Sequence, residues 1–420
     1  MAVQEDRLDY QALIAKDRVH GRLYRDPIVF EDEMARIWNR VWVYLAHASE
    51  LPKPGDYLRR VIGRQPVLLV RGEDGEIRVF FNRCRHRANL VCHLDKGNAK
   101  ALTCPYHGWS YGIDGQLLGR SFDEAYPSTP EPGEFDLTPI PRVGIYRGLI
   151  FGSLAAEGIT LDTHLGAVKD YLDLILDRSP EGTVDLGAGM QKMRYRGNWK
   201  MLPENSLEGA YHGRFIHKFS FDLADKRTGR DRSTAHADSV RYLPGGHMVE
   251  DFRSTKFTKP ESKTPAQEAY WNALVESHGE ARTREVMSGR TPMVFVFPNL
   301  MYIQTHFRRL QPISADQTYI YYQPALLKGA SVEINRELLR HHEGYFGPAG
   351  FLVSDDLEIL ERSQVALQAE GNDWLYIGRG VHREKDLGGG VIAGNSMDEN
   401  QLRGFWRHYA AVMMTNRAGA

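Results

Sequence analysis

The sequence predicts an α+β protein in which a small antiparallel β domain sits beside a larger mixed domain, and three observations carry that reading. Residues 42 to 154 are short apolar strands broken by turns. Beyond them helical and strand-like runs alternate, for which an antiparallel sheet covered by helices on one face is the simplest architecture. At 420 residues the chain is long enough for two or more domains. The expected boundaries are a helical segment at 1–41 belonging to the larger domain, the small β domain at 42–158, and the rest of the larger domain at 159–420.

The elements follow in order. "PIVFEDEMARIWNRVW" (27–42) puts Phe30, Met34, Ile37, Trp38 and Val41 at helical spacing with acids in the first turn. "VWVYLAH", "PVLLVRG", "EIRVFFN", "SYGI", "GQLLG" and "GLIFGSL" are the strands of the small domain. Asp74-Gly75 and Asp114-Gly115 fall between strands, where type I′ hairpin turns are expected. "TLDTHLGAVKDYLDLIL" opens the larger domain as a helix. Further helices are expected near 200–215, 265–287, 331–342 and 354–368, with strands in "MQKMRYRG", "VRYLP", "PMVFVFPNLMYIQTHF" and "QTYIYYQPAL".

Charge is balanced, with 53 Lys and Arg against 54 Asp and Glu. No basic excess is available for nucleic acid or anionic lipid, so small molecules and other proteins are the expected partners. The N-terminus lacks a charged-then-apolar leader, and apolar runs stay well below the ~18 residues of a membrane helix. A cytoplasmic protein is expected. "DLGGGVIAGN" lacks GxGxxG spacing, and Walker A, G-x-S-x-G and HExxH patterns are absent.

The three cysteines all lie in "CRHRANLVCHLDKGNAKALTCPYHGW" (84–109), a clustering that suits metal better than a disulfide scaffold. Cys84-x-His86 and Cys104-x-x-His107 are two short chelating pairs, and Pro105 and Gly108 suit a tight turn. Cys92 and His93 lie outside the spacing, Cys92 as a small buried residue. A structural zinc site is the alternative, although such sites more often use Cys-x2-4-Cys pairs. The arrangement resembles the Rieske [2Fe-2S] motif, in which one iron takes two Cys and the other two His. The extra cysteine pair of respiratory Rieske proteins is missing, so the likeness is to the oxygenase branch.

A second constellation is "NWKMLPENSLEGAYHGRFIH" (198–217). On a helix Asn205, Glu208 and His212 share one stripe, while His217 falls roughly 140° off the His212 direction. A break is therefore required between the histidines, with Gly213 a candidate. "NWKxxxENxxxxxYHxxxxH" resembles the mononuclear iron motif of the Rieske non-haem iron ring-hydroxylating dioxygenases, in their large (α) subunits. The likeness extends over nearly the whole chain, from "EDEMARIWNRVW" to "RGFWRHY".

That resemblance implies a Rieske domain at 42–158 and a helix-grip, START-like catalytic domain formed by 1–41 and 159–420. It implies a [2Fe-2S] cluster on Cys84, His86, Cys104 and His107, and one Fe(II) on His212, His217 and Asp356 of "SDDLEILERSQ", a facial triad with positions left for O2. Read without the family, Ser354-Asp355-Asp356 is also an ordinary acid-first helix start. Many members have an Asp at the position of Gly209; here Glu208, one residue earlier, is expected to take its bridging role between His212 and His107 of the partner subunit. Asn205 shares that stripe.

The family further implies that electrons from NADH arrive through a reductase, with or without a ferredoxin, and that O2 and an aromatic substrate give a cis-dihydrodiol or derived catechol. An α trimer, with or without β subunits, is implied by the bridging. "SDDLEILERSQ" and "WLYIGRG" are most similar to the branch acting on benzoate, anthranilate and related aromatic carboxylates. In "THFRRLQPISADQT" Arg308 stands where that branch has an arginine able to hold a carboxylate bidentately. A solvated strand, with His306, Arg308 and Arg309 facing out, is the alternative. Phe346 and Met201 are expected pocket walls or ordinary core. A neutral arene, insertion of one oxygen atom, an electron carrier without oxygenase activity and a zinc-stabilised protein are the competing functions.

Overall fold

Asp26 caps the first long helix: its carboxylate accepts from the Ile28 N–H at 2.8 Å, and Pro27 fills the first position, where no N–H is needed. The computed structural model describes residues 8–208, 211–228, 239–253, 262–369 and 371–415. The helix runs only over Pro27–Glu33 before widening into a π turn, Met34–Trp38. Phe30, Met34, Ile37 and Trp38 are buried as their spacing requires, whereas Val41 lies beyond the helix. The chain divides into two compact units, residues 38–161 and residues 1–37 with 162–420.

The small unit is built of antiparallel strands. One sheet runs Ile77–Phe81, Gln65–Arg71, Asp56–Ile62, Lys96–Asn98. A second runs Arg142–Tyr146, Leu149–Ser153, Val43–His47, and a third Ala101–Thr103, Ser110–Gly112, Leu117–Gly119. Leu68, Val70, Phe80, Leu102, Trp109 and Tyr111 pack together with Cys84, Cys92 and Cys104 in its core. The two Asp-Gly turns differ from type I′. Gly75 and Gly115 have φ of 81° and 92°, but neither aspartate has positive φ. Each aspartate instead accepts from the backbone two residues on, Asp74 from Glu76 at 3.1 Å and Asp114 from Gln116 at 3.0 Å.

The large unit carries a nine-stranded antiparallel sheet in the order Gln191–Tyr195, Gln317–Pro324, His306–Ser314, Leu300–Ile303, Met293–Val296, His247–Asp251, Ser239–Leu243, Ile392–Gly394, Lys385–Asp386. The last two strands are the glycine-rich segment, a hairpin at the edge of the sheet with Gly388, Gly389 and Gly390 at positive φ. The helix Val353–Ala366 packs near the opposite edge, against Gln191–Tyr195 and Met201–Ser206. The helix Asn400–Thr415 lies on Ser239–Leu243 and its neighbours so closely that a Cβ at Gly404 would sit 2.1 Å from the Tyr242 ring. The expected helix at 265–287 is two, Pro265–His278 and Glu280–Val286, parted by Gly279 at φ 79°. No helix among the described residues is long and apolar enough to cross a membrane.

A buried polar knot ties the first helix, the "NWK" segment and the last helix together. Glu33 accepts from Trp199 Nε1 at 2.8 Å and from the Tyr409 hydroxyl at 2.7 Å, and pairs with Lys200; Glu33 and Lys200 are both fully buried. Burial pushes the Lys200 pKa down and the charge of Glu33 works against that. One turn on, the Glu204 carboxylate accepts from the Tyr24 hydroxyl at 2.8 Å and from Trp406 Nε1 at 2.6 Å. The residue keeps some exposure, but its carboxylate is enclosed, and burial raises its pKa to about 7 against these donors.

Two outcomes follow. Lys200→Met leaves the Glu33 charge uncompensated in the interior and should cost about 3 kcal/mol or more; an unchanged urea midpoint would remove the pair from the stability of this unit. Glu204 binds its proton more tightly folded than unfolded. It therefore makes stability fall as pH rises from the ordinary carboxyl value of 4.5 to about 7. Glu204→Gln should flatten that slope in thermal melts across the window, and an identical slope would refute the assignment.

Candidate metal centres

In the small unit Cys84 and Cys104 begin two loops closed in the same way. Cys84 N–H donates to Asn89 O at 2.8 Å and Cys104 N–H to Trp109 O at 2.8 Å. Each cysteine carbonyl accepts from the residue four positions on, Ala88 at 3.1 Å and Gly108 at 3.0 Å. Those two residues have φ of 60° and 70°, a conformation natural for Gly108 and costly for Ala88. The closure brings His86 and His107 to a ring separation of 4.7 Å, with His86 stacked on Trp109 at 5.0 Å.

Both thiols are buried and free of disulfides, and both imidazoles are half-buried. His86 Nδ1 is buried without a partner; burial, with His107 and Arg87 nearby, lowers its pKa and keeps the ring neutral, the form that binds metal. The Tyr111 hydroxyl accepts from Arg85 N–H at 3.0 Å, which leaves its proton for Cys84 Sγ at 3.3 Å. Cys92 is held apart: its backbone N–H donates to Asn82 Oδ1 at 3.0 Å and its carbonyl accepts from Asn82 Nδ2 at 2.7 Å. Burial pushes its thiol up to about 11. His93 is exposed.

In the large unit the expected continuous helix at 200–215 is not formed. It ends at Ser206, His212 starts a short 3-10 turn, His212–Arg214, and a new helix begins at Lys218. Asn205, Glu208 and His212 therefore do not share a helical stripe, and the break precedes His212. Gly213 keeps negative φ and is a packing residue, since a Cβ there would meet the Phe221 ring at 3.0 Å. Gly209 lies outside the described residues.

The irregular segment nevertheless brings the side chains together. Among the described residues the one group of three or more His, Cys, Asp or Glu ligand atoms within 4.8 Å of one another is His212, His217 and Asp356. Asp356 Oδ1 is 3.1 Å from His217 Nε2, 3.7 Å from His212 Nε2, and accepts from Asn205 Nδ2 at 3.3 Å. Behind the rings stand two more acids. Glu208 Oε1 is 2.9 Å from His212 Nδ1, a short contact that is not aligned as a hydrogen bond, and Asp355 Oδ2 is 3.6 Å from His217 Nδ1. Burial opposes the charge on Asp356, but His217, His212 and Arg308 outweigh it and hold its carboxyl below the usual range.

This donor set fits one hard divalent ion: two imidazole nitrogens and a carboxylate oxygen at one point, each nitrogen backed by an acid. The Cys and His set of the small unit does not gather within that distance. A tetrahedral zinc ion would draw its four ligands that close, whereas a two-iron cluster spreads them.

Beside the triad, His306, Arg308 and Arg309 are all buried, so the solvated-strand alternative is overturned. His306 and Arg308 alternate onto one face of the sheet, opposite Ile303 and Met301. Arg308 donates from Nε to His306 Nε2 at 2.9 Å and from Nη1 to Ser206 Oγ at 3.1 Å. Its guanidinium lies over Tyr322 at 4.8 Å and Phe346 at 5.5 Å. Phe346 thus joins this group, while Met201 is buried beside Gly197 and takes no part in these contacts. Sequence reasoning passed over Asp355, Glu204, His342 and Arg379. Arg379 covers the Tyr211 ring at 3.6 Å and reaches Glu208 at 3.7 Å and Glu399 at 3.4 Å. Nothing in the local pattern marked any of them beyond a helix start, a core face and a loop.

Residues 41–130 match the Rieske [2Fe-2S] domain family and residues 184–415 the catalytic domain of the ring-hydroxylating α subunits. The biphenyl dioxygenase α subunit of Metapseudomonas furukawaii is 31% identical over 95% of this chain and 91% of its own length. The 2-halobenzoate 1,2-dioxygenase large subunit of Burkholderia cepacia is 30% identical over 90% and 82%. The crystal structure of naphthalene 1,2-dioxygenase from Rhodococcus sp., bound to indole, superposes with a TM-score of 0.85 over 99% of both chains at 27% identity. Two family models and relatives of near full length agree with the two centres, and the chain belongs to the Rieske non-haem iron ring-hydroxylating dioxygenases, as a large (α) subunit.

Proposed function

We propose that this α subunit oxygenates an aromatic carboxylate, such as benzoate, anthranilate, salicylate or terephthalate. One observation carries the reading. Arg308 is a buried, permanently charged guanidinium that pairs with no carboxylate among the described residues. Asp356 supplies a counter-charge only from beyond ion-pair distance, so the planar guanidinium is left able to hold a carboxylate directly. Its neighbour Ser206 follows Asn205, which holds Asp356, so a substrate anchored on Arg308 lies beside the triad. Relatives named for biphenyl and for 2-halobenzoate are equally similar overall, so specificity rests on such residues.

In this reading residues 42–158 receive electrons, and 1–41 with 159–420 form the catalytic domain. Cys84, His86, Cys104 and His107 hold the [2Fe-2S] cluster, and His212, His217 and Asp356 hold the iron. When bound, these groups supply the single electrons and the O2 chemistry; the chain supplies position and charge. Asn205 orients the Asp356 carboxylate. Asp355 and Glu208 stand behind the His217 and His212 rings, whose Nε2 atoms face Asp356. Tyr322 and Phe346 wall the anchor and keep water from the guanidinium, which strengthens the ion pair. In this reading Glu208 links His212 to His107 of the partner subunit in an α trimer, with or without β subunits, served by a reductase with or without a ferredoxin.

Metal analysis tests the ligand sets. Asp356→Ala should lower iron from three to two per chain with acid-labile sulfide unchanged, and Cys84→Ser should abolish sulfide and the visible spectrum. Retention of all three irons in the first variant would refute the triad. Glu208→Gln should keep both metal contents but slow reoxidation of the reduced cluster in a single turnover by about tenfold or more; normal reoxidation would end the bridging role. For the anchor, Arg308→Met should raise the KM for benzoate about tenfold to a hundredfold, the worth of a charge-assisted hydrogen-bond pair. An unchanged KM would favour a neutral arene.

A further inference from the structure

Arg308 is bonded to His306, and His306 in turn adjoins a second buried imidazole, His342. His306 and His342 are fully buried with their rings 4.8 Å apart. Among the described residues His306 Nδ1 and both nitrogens of His342 have no hydrogen-bond partner. Two other buried histidines of this unit, His164 on the helix Leu161–Leu165 and His247 on its strand, are treated differently. His164 Nε2 meets Phe297 O at 3.0 Å, His247 Nε2 meets His164 O at 2.8 Å, and His247 Nδ1 accepts from Phe297 N–H at 3.1 Å. Unmet ring nitrogens next to the substrate anchor thus call for a polar atom that the chain does not provide.

The protonation states define that atom. Arg308 donates to His306 Nε2, so in the neutral ring the proton sits on Nδ1, which is then a donor. Burial, Arg308 and the neighbouring histidines hold His306 far below its ordinary pKa, and burial with Arg308 and His341 brings His342 to about 4. His342 therefore offers one N–H and one lone pair. Phe346, 4.7 Å from His306, and Tyr322, 5.3 Å from it, flank the His306 ring with aromatic rings. A group that both accepts and donates is complementary to this pair. A hydroxyl or an amino group does both, a methyl or halogen does neither, and a second carboxylate only accepts.

We propose that His306 and His342 form a subsite that recognises a hydroxyl or amino substituent on the ring of an aromatic acid whose carboxylate is held by Arg308. The proposal rests on the Arg308 reading above and selects, within the aromatic carboxylates, the hydroxy- and amino-substituted ones. His342 reaches the site because it shares a helix face with Ile334 and Phe346 on Val332–Phe346, at spacings of eight and four residues.

The test is the ratio of kcat/KM for each hydroxybenzoate and aminobenzoate isomer to that for benzoate, with the toluates as shape controls, in the holoenzyme with its reductase. At least one hydroxy or amino isomer should exceed benzoate and its matching toluate by about tenfold or more in the wild type. His342→Phe should bring that ratio near one, and His342→Gln should keep part of it, with iron and sulfide contents verifying that the variants are loaded. A wild type without the preference, or an unchanged ratio in His342→Phe, overturns the subsite and assigns the nitrogens to a buried water. The KM for benzoate separates the two readings. Arg308→Met should raise it and His342→Phe should leave it, whereas an unchanged KM in Arg308→Met defeats the anchor itself.

Discussion

The convergence of two imidazoles on one oxygen of Asp356 is the constraint around which the catalytic unit is arranged. A carboxylate this deeply buried is charged only if positive or donating groups surround it, and His212, His217, Asn205 and Arg308 do so. Those groups come from separate pieces of chain. The chain must leave helical geometry after Ser206 to present both histidines, and Val353–Ala366 must begin at the right height to present Asp356. The first requirement is met by ending the helix at Ser206, the second by packing that helix on Gln191–Tyr195. Just upstream, the Glu33 knot holds Trp199 and Lys200, so the irregular segment starts from a rigid point.

The small unit solves a different problem. Two thiols and two imidazoles, those of Cys84, Cys104, His86 and His107, are carried on two short loops. Both loops use one backbone solution, a cysteine carbonyl bonded to a residue in left-handed conformation four positions on. In the second loop glycine supplies that conformation. In the first Ala88 adopts it at a cost, offset by the packing of Cys84 with Tyr111 and Val91 in the core.

Beside the triad, aromatic rings surround a few buried polar groups. Ser206 and Asn205 are adjacent in sequence, and they join Arg308 on one side to Asp356 on the other. Overall similarity to relatives acting on neutral and on charged rings is alike because the scaffold is shared, while the charge in the pocket depends on single side chains.

The sequence alone determined the α+β class and marked the paired Cys and His spacing of Cys84, His86, Cys104 and His107 as a candidate metal motif, because short loops make local spacing a sufficient description. It also marked most strands, since alternation and β-branched runs report burial directly. The geometry of 205–217 was not legible: helical periodicity gives no warning that a segment will be unwound by what it must reach, and the acid it reaches is far along the chain. His342, on an ordinary amphipathic helix, and Glu204, one turn from the triad segment, looked like core and surface residues. Arg308 could be read as solvated or anchoring until the strand's place in the sheet was known. Only tertiary structure decides such cases, because burial and the absence of a partner depend on residues distant in sequence, whereas spacing records only those nearby.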